Sequence, residues 1–265
     1  MLRPRRLVVV TLAVVALAMG IGFAAAAGKV PARLTDQEFW TLVTTLSEPG
    51  GSFRSDNLLS NELRLQYVIP ELLKTAARER AYIGVGPEQN FTYIAAVHPS
   101  IAFIVDIRRG NLQLQLMYKA LFELSADRVE FVSRLFSRKQ PEGLGAGATA
   151  AQIFDAVAAM EPSEALYDRN VKAIDAQLSG KHAFALSADD RKGLEYVFHA
   201  FYTFGPAINY SSSEGDAASP GSGNYRPTYA ELMTATDSDG KLSQLVARYP
   251  AERDDNETPG SQHRA

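Results

Sequence analysis

The chain has 265 residues, of which 46% are hydrophobic and 22% are charged, and this composition is typical of a soluble globular protein with one sizeable core. The formal net charge is −3. Lysine and arginine form no basic stripe, so we expect no nucleic acid as a partner. The absence of cysteine excludes disulfides, thiolate metal ligands, a cysteine nucleophile and a lipid anchor on cysteine.

Residues 1–27 have the features of a targeting segment. Three arginines precede a long apolar run at 7–23, and small residues follow at 24–27. This pattern predicts an exported protein, periplasmic or secreted, whose leader is cleaved. The run is nearly long enough to span a bilayer, so the alternative is an uncleaved anchor to the inner membrane formed by residues 7–27. We expect a membrane as a partner only through this segment.

The next residues predict a helix and then a polar loop. Thr35 and Glu38 form a capping box, and the apolar residues that follow, Phe39, Trp40, Val43 and Leu46, lie on one helical face, which predicts a core-packing helix. The loop after it contains Asp56 and Asn57.

A second helix is expected to be capped by residues 60–62 and to kink near Pro70. A polar loop that precedes the first strand of a Rossmann-type fold often covers the ligand crevice. Asp56, Asn57 and Glu62 are therefore candidate substrate contacts. Local capping and turn hydrogen bonds are the alternative.

Residues 81–106 read as a strand, a glycine turn, a short helix and a second strand. Tyr82 and Ile83 lie in the first strand, and Gly84 and Gly86 form the turn. Residues 88–97 have apolar residues at helical spacing, and His98 and Pro99 end that helix. Residues 101–105 are a continuous apolar run, which is typical of a strand buried on both faces.

Asp106 follows this second strand. An acid about 20 residues after a glycine turn has the geometry of a nucleotide-type site. The motif is G-x-G-P-E-Q-N and lacks a third glycine, so a plain strand–helix–strand turn is the alternative. The candidate cofactor contacts are Gly84, Gly86, Glu88, Gln89, Asn90, Asp106 and Arg108.

The second half of the chain is predicted to be helical. Residues 111–137 have the apolar stripe of one long crossover helix. Residues 139–149 are glycine-rich, but no strand precedes them and no Gly-Lys-Ser/Thr ending follows, so we interpret them as a linker rather than a phosphate loop. Residues 150–160 and 162–178 predict two further helices, and 139–186 would be a linker and helical insertion.

The rest of the chain offers no metal or catalytic motif. Ser187 is predicted to cap a helix whose aromatic face includes His199, which we interpret as a packed histidine. His98 and His182 have no acid or histidine at helical ligand spacing, so no metal site is expected. Residues 28–240 would form the α/β domain, and the polar residues 241–265 a disordered tail.

Several segments together resemble an uncharacterised bacterial family with a methyltransferase-like Rossmann fold. They are GVGPEQNFTYIAAVHPSIAFIVDIRRGN and MYKALFELSADRVEFVSRLFSR, with GGSFRSDNLLSNE upstream and FGPAINYSS and PTYAELMTATDSDG downstream. The resemblance implies an α/β fold with a mostly parallel sheet, helices on both faces and a helical insertion. Family members look longer after residue 240, so this chain looks C-terminally truncated. Whether its sheet is complete stays open.

The resemblance also implies a ligand, although the family's reaction is unassigned. S-adenosylmethionine would be the cofactor, bound at 84–90 with Asp106 holding the ribose hydroxyls. Three hypotheses follow: a methyltransferase-like enzyme, a non-catalytic module that binds a small polar ligand or a protein, and a truncated inactive member. No nucleophile–base motif identifies a reaction, and the sequence does not predict the oligomeric state.

Overall fold

The computed structural model describes residues 33–48, 50–51, 55–76, 80–211, 225–238 and 240. The predicted leader and the predicted tail lie outside these residues. Across the described ranges, no helix is both long enough and apolar enough to cross a membrane.

The fold is α/β, with a small parallel sheet and a larger helical part. The strands are β1 (Ala81–Val85) and β2 (Ile101–Val105). The helices are α1 (Asp36–Leu46), α2 (Ile69–Thr75), α3 (Gln89–Val97), α4 (Arg109–Leu124), α5 (Arg128–Leu135), α6 (Ala150–Ala158), α7 (Glu164–Asp175), α8 (Ala188–Phe204) and α9 (Tyr229–Thr234). A π-helical segment, Ala176–Lys181, extends α7, and two short 3₁₀ segments lie at Leu65–Val68 and Gly205–Ala207.

The predicted strand–turn–helix–strand unit is confirmed. Strands β1 and β2 pair in parallel, from Ala81 opposite Ile101 to Val85 opposite Val105, and α3 connects them. His98 ends α3 in the left-handed conformation, with φ 48°. The described residues contain a sheet of these two strands only, which is smaller than the mostly parallel sheet that the resemblance implies.

The prediction that β2 is buried on both faces is wrong. Val105 keeps 48% of its surface exposed, and on β1 the exposed fractions are 72% for Ile83 and 66% for Val85. These side chains lie on one face, because partners in a parallel pair and residues two apart on a strand point the same way. The opposite face is covered around Gly84 by Asn90 of α3.

The core lies mainly among the helices. Buried aromatic residues from five helices and the turn after α5 form its centre: Tyr118, Phe131, Phe136, Phe154, Phe201 and Tyr229. Helices α6 and α7, which were predicted as an insertion, pack into this same core through Ile153, Phe154 and Ile174. At the start of α4, Arg109 forms two hydrogen bonds with Asp190 of α8, at 2.9 and 3.1 Å.

Local capping signals were confirmed where they were recognised. Thr35 and Ser187 each form the predicted capping box, at the start of α1 and α8. The long helix predicted over 111–137 is wrong, because Asp127 accepts a hydrogen bond from the backbone N–H of Glu130 and starts α5 separately. Leu46, predicted to pack on the core, is 64% exposed at the end of α1.

The second predicted helix also differs from the structure. Residues 60–62 do not cap an α-helix; a 3₁₀ segment starts at Leu65 instead. Pro70 lies in the first turn of α2 rather than at a kink within it, a position where its missing N–H costs no helical hydrogen bond.

Candidate functional site

The carboxyl ends of the two strands carry most of the predicted site residues. Asp106 and Arg108 follow β2, and the turn at 84–90 follows β1. The loop that contains Asp56 and Asn57 lies near the end of β2, since Arg108 donates to the carbonyls of both residues. In the same region, the backbone N–H of Gly51 donates to the carbonyl of Ile107 at 2.6 Å.

The carboxylate of Asp106 is occupied by Arg108. It accepts hydrogen bonds from the backbone N–H of Arg108 at 2.9 Å and from Nε and Nη2 of the same residue, each at 3.1 Å. The side chain of Asp106 is only 6% exposed and that of Arg108 only 10%. Both carboxylate oxygens are therefore engaged by the chain itself.

Arg108 also holds the loop at 55–57. Its guanidinium donates to the carbonyl of Asp56 and, at 3.5 Å, to the carbonyl of Asn57. Asn57 has a left-handed backbone with φ 53°, which asparagine tolerates better than most residues. The carboxylate of Asp56 accepts a hydrogen bond from the hydroxyl of Tyr196 on α8 at 2.9 Å. Arg108 and Tyr196 thus fix this loop over the end of β2.

The glycine turn is filled by the side chain of Asn90. Its amide group donates to the carbonyls of Val85 and Gly86 at 3.2 Å and to that of Pro87 at 2.8 Å. Its Oδ1 accepts a hydrogen bond from the hydroxyl of Tyr82 at 2.8 Å. The turn itself requires glycine at position 86, where φ is +86°.

Gly84 leaves room for Asn90 rather than for a ligand. A Cβ at position 84 would lie 1.8 Å from Oδ1 of Asn90 and 2.7 Å from the ring of Tyr82. Gln89 also turns back to the chain, since its amide group donates to the carbonyl of Val85 at 3.4 Å. Within the described residues, Gly84 therefore allows the side chain of Asn90 to lie close to the backbone.

Glu88 is buried in the core instead of facing a crevice. It is 3% exposed, and its two carboxyl oxygens lie 3.1 and 3.2 Å from the backbone nitrogen of Ser60, which donates to them. Burial raises the pKa of Glu88 to about 7 against the lowering effect of this hydrogen bond. Burial, together with the nearby charge of Glu88, also raises the pKa of Tyr118 and Tyr229, so both phenols stay neutral.

The remaining predicted contact, Glu62, is not part of this group. It is exposed and lies near Tyr93, whose pKa is raised by burial and by the charge of Glu62. The structure thus brings together Asp56, Asn57, Asp106 and Arg108 in one network, and Glu88 with Ser60 in another.

Sequence reasoning missed two features. Tyr196 borders a shallow surface cavity of about 280 Å³, together with Tyr167, Lys192, Glu195 and His199; this volume is near the lower end for small-ligand sites. His182 lies between the carboxylates of Asp36 and Glu123. No local signal predicts this contact, because the three residues are far apart in the chain. In the described ranges, no group of three histidine or acidic side chains is arranged to hold a metal ion.

The most exposed apolar surface lies on the sheet. We define the bare sheet face as Ile83, Val85, Val105 and Ile107, whose exposed fractions range from 48 to 72%. Ile107 lies two residues beyond the end of β2, in the bend before α4. Parallel sheets are usually buried on both faces, so this surface is unusual for the type of sheet that carries it.

Part of the chain matches a known protein-family model. Residues 58–180 match a domain of unknown function, DUF7790. The matched range includes β1, the glycine turn, β2, Asp106 and helices α4 to α7. No curated protein matches the chain.

Proposed function

We propose that the chain is a non-catalytic protein-binding module that uses the bare sheet face to bind an amphipathic helix of a partner protein. The domain is exported, or held at the inner membrane by residues 7–27, a proposal that rests on the arginines and apolar run of the N-terminal segment. The observation that carries the binding proposal is the exposure of Ile83, Val85 and Val105 on one face of a parallel sheet, with exposed Ile107 two residues beyond β2.

The chemistry of this face favours a protein over a small polar ligand. Its four side chains are aliphatic and offer no hydrogen-bond donor or acceptor. Contiguous exposed apolar patches commonly mark protein interaction sites. The polar groups that would recognise a small ligand, on Asp106, Arg108 and Asn90, already bind one another or the backbone.

A helix is the element that fits this face. The faces of parallel sheets are normally covered by helices, and α3 already occupies the other face through Asn90 over Gly84. A helix that presents apolar residues three and four positions apart would pack on the two exposed rows, one from β1 and one from β2.

Site-specific photo-crosslinking in the native cell tests this proposal. A benzophenone amino acid at Ile83 is compared with the same label at Lys139, whose side chain is 75% exposed and lies outside the bare sheet face. We expect a discrete adduct from position 83 only. The crosslinked peptide should lie in an amphipathic helix of another protein. The adduct should be lost when Val105 is changed to Glu. A homodimer adduct, or equal labelling from both positions, would overturn the proposal.

A methyltransferase-like ligand site is the second candidate. It is favoured by the order β1, glycine turn, α3, β2 and by Asp106 directly after β2. S-adenosylmethionine would be the cofactor and would have to displace Arg108 from Asp106 and Asn90 from the turn. The residues available for it are Gly84, Gly86, Gln89 and Asp106.

A melting curve of the full chain with excess S-adenosylhomocysteine separates the two candidates. At about 100 times its dissociation constant, a bound ligand stabilises a protein by about 2.7 kcal/mol. This corresponds to a rise of roughly 5 to 10 °C for a domain of this size. We expect no shift; a shift that disappears in Asp106→Asn would establish the second candidate instead.

A further inference from the structure

A charged cluster links helix α1 to the rest of the domain through His182. The side chain of His182 is 4% exposed. Its Nε2 lies 2.5 Å from Oε2 of Glu123 on α4, and its Nδ1 lies 2.9 Å from Oδ1 of Asp36 in the first turn of α1. The contact with Glu123 is a hydrogen bond, whereas the contact with Asp36 is a charge contact whose N–H is not aligned with the oxygen.

The other groups around the ring keep Glu123 ionised. Lys119 of α4 lies 2.7 Å from Oε1 of Glu123, Lys181 lies 3.5 Å from Oε2, and the amide group of Gln177 donates to the same carboxylate. Burial alone would raise the pKa of Glu123, but the hydrogen bonds from Lys119, His182 and Gln177 outweigh it and bring the pKa to about 2. The imidazole of His182 thus lies between two carboxylates. Within the described structure, the cations nearest to it are Lys119 and Lys181.

In the described ranges, aromatic contacts also hold α1. None of its residues is buried. Trp40 stacks on Phe184 with ring centroids 5.0 Å apart, Phe39 lies 5.3 Å from the same ring, and Phe184 stacks in turn on His182 at 5.2 Å. Lys119 lies over the ring of Phe39 at 5.6 Å. Within the described residues, an aromatic stack and a charge bridge that meet at His182 therefore help to hold α1 on the domain.

We propose that His182 is a pH-sensitive latch that holds α1 on the domain when it is protonated and releases it when it is neutral. Only the imidazolium carries a proton on both ring nitrogens, and both nitrogens face carboxylate oxygens. When one proton leaves to solvent, the remaining one stays on Nε2, where the hydrogen bond with Glu123 is aligned. The neutral ring then no longer attracts the carboxylate of Asp36, whose Oδ1 lies 2.9 Å from Nδ1.

Histidine side chains in general change charge between about pH 5 and 8, which is the range over which the latch is tested. Release would separate Trp40 from Phe184 and free residues 36–46 from the helical core.

Trp40 is the single tryptophan of the chain, so intrinsic fluorescence reports on α1 alone. The experiment measures the emission maximum and acrylamide quenching of the full chain across the same pH range. We expect emission to shift to the red and quenching to increase as the pH rises, in one transition, while far-ultraviolet circular dichroism keeps the core helices.

Four variants make the test specific. His182→Gln removes the titrating group and should abolish the transition. Asp36→Asn should also abolish it, with α1 attached throughout, because an amide can donate to a neutral Nδ1 or accept from a protonated one. His98→Gln and Glu88→Gln should leave the transition in place, since His98 is exposed at the end of α3 and Glu88 contacts Ser60. A wild-type signal that does not change with pH, or a transition that persists in His182→Gln, would overturn the proposal.

Discussion

The side-chain oxygen Oδ1 of Asn90 lies 1.8 Å from the point where Gly84 would carry a Cβ. The two residues are therefore fitted to each other, with the absent side chain of one making space for the amide of the other. The same amide then donates to three carbonyls of the turn. A glycine motif that looks open in the sequence is thus closed by its own helix.

Changing Gly84 to Ala should destabilise the chain by about 1 to 3 kcal/mol, the usual range for forcing an extra group into a packed site. The matched control is Gly110→Ala in α4, where a Cβ would meet nothing within 4 Å. That variant should be neutral or stabilising by up to about 1 kcal/mol, because alanine favours the helix. Urea unfolding of both variants measures the difference; equal stabilities would show that Asn90 does not occupy the turn.

The ion pair of Asp106 and Arg108 should be structural. Arg108→Met leaves a buried carboxylate without its partner and frees the carbonyls of Asp56 and Asn57, so we expect a loss of about 3 kcal/mol. Lys139→Met breaks the exposed pair with Glu142 and should cost less than about 1 kcal/mol. A double-mutant cycle with Asp106→Asn measures the coupling. Negligible coupling would mean that Asp106 is free to serve a ligand.

Glu88 should make the chain less stable as the pH rises. Its folded-state pKa of about 7 lies above the ordinary glutamate value of 4.5, so the folded state binds more protons between these values. Stability is then lost from about pH 4.5 upward, and the loss is complete above pH 7, at a cost of about 3 kcal/mol. Glu88→Gln should remove this part of the pH dependence and be the more stable chain at pH 8. If the unfolding free energies of the two chains change with pH in parallel, the raised pKa of the buried Glu88 carboxyl is contradicted.

Local elements could be predicted from the sequence, because their signals are complete within a few residues. The capping boxes at Thr35 and Ser187 and the β1–α3–β2 unit are of this kind. The break between α4 and α5 also has such a signal, an acid at 127 three residues before Glu130, but the continuous apolar stripe predicts one helix. The helix cap at Asp127, and not the period of the apolar residues, determines where α5 begins.

The site was harder to predict, because its contacts join distant parts of the chain. The hydrogen bond from Arg108 to the carbonyl of Asp56 spans 52 residues, and the one from Ser60 to Glu88 spans 28. The residue types at the strand ends were identified, but their pairing with one another was not. The apolar run at 101–105 likewise predicted a strand without indicating that one of its faces is uncovered, since coverage depends on which other elements pack there.

The unfolding free energy of Ile83→Lys tests most directly whether the sheet face is bare and reserved for binding. Because Ile83 is 72% exposed, we predict that the variant stays within about 0.5 kcal/mol of the wild type and loses the partner adduct formed from a label at Val85. A loss of 2 kcal/mol or more, which is usual when a buried aliphatic side chain is removed, would mean that the face is covered within the chain. That result would contradict the binding module.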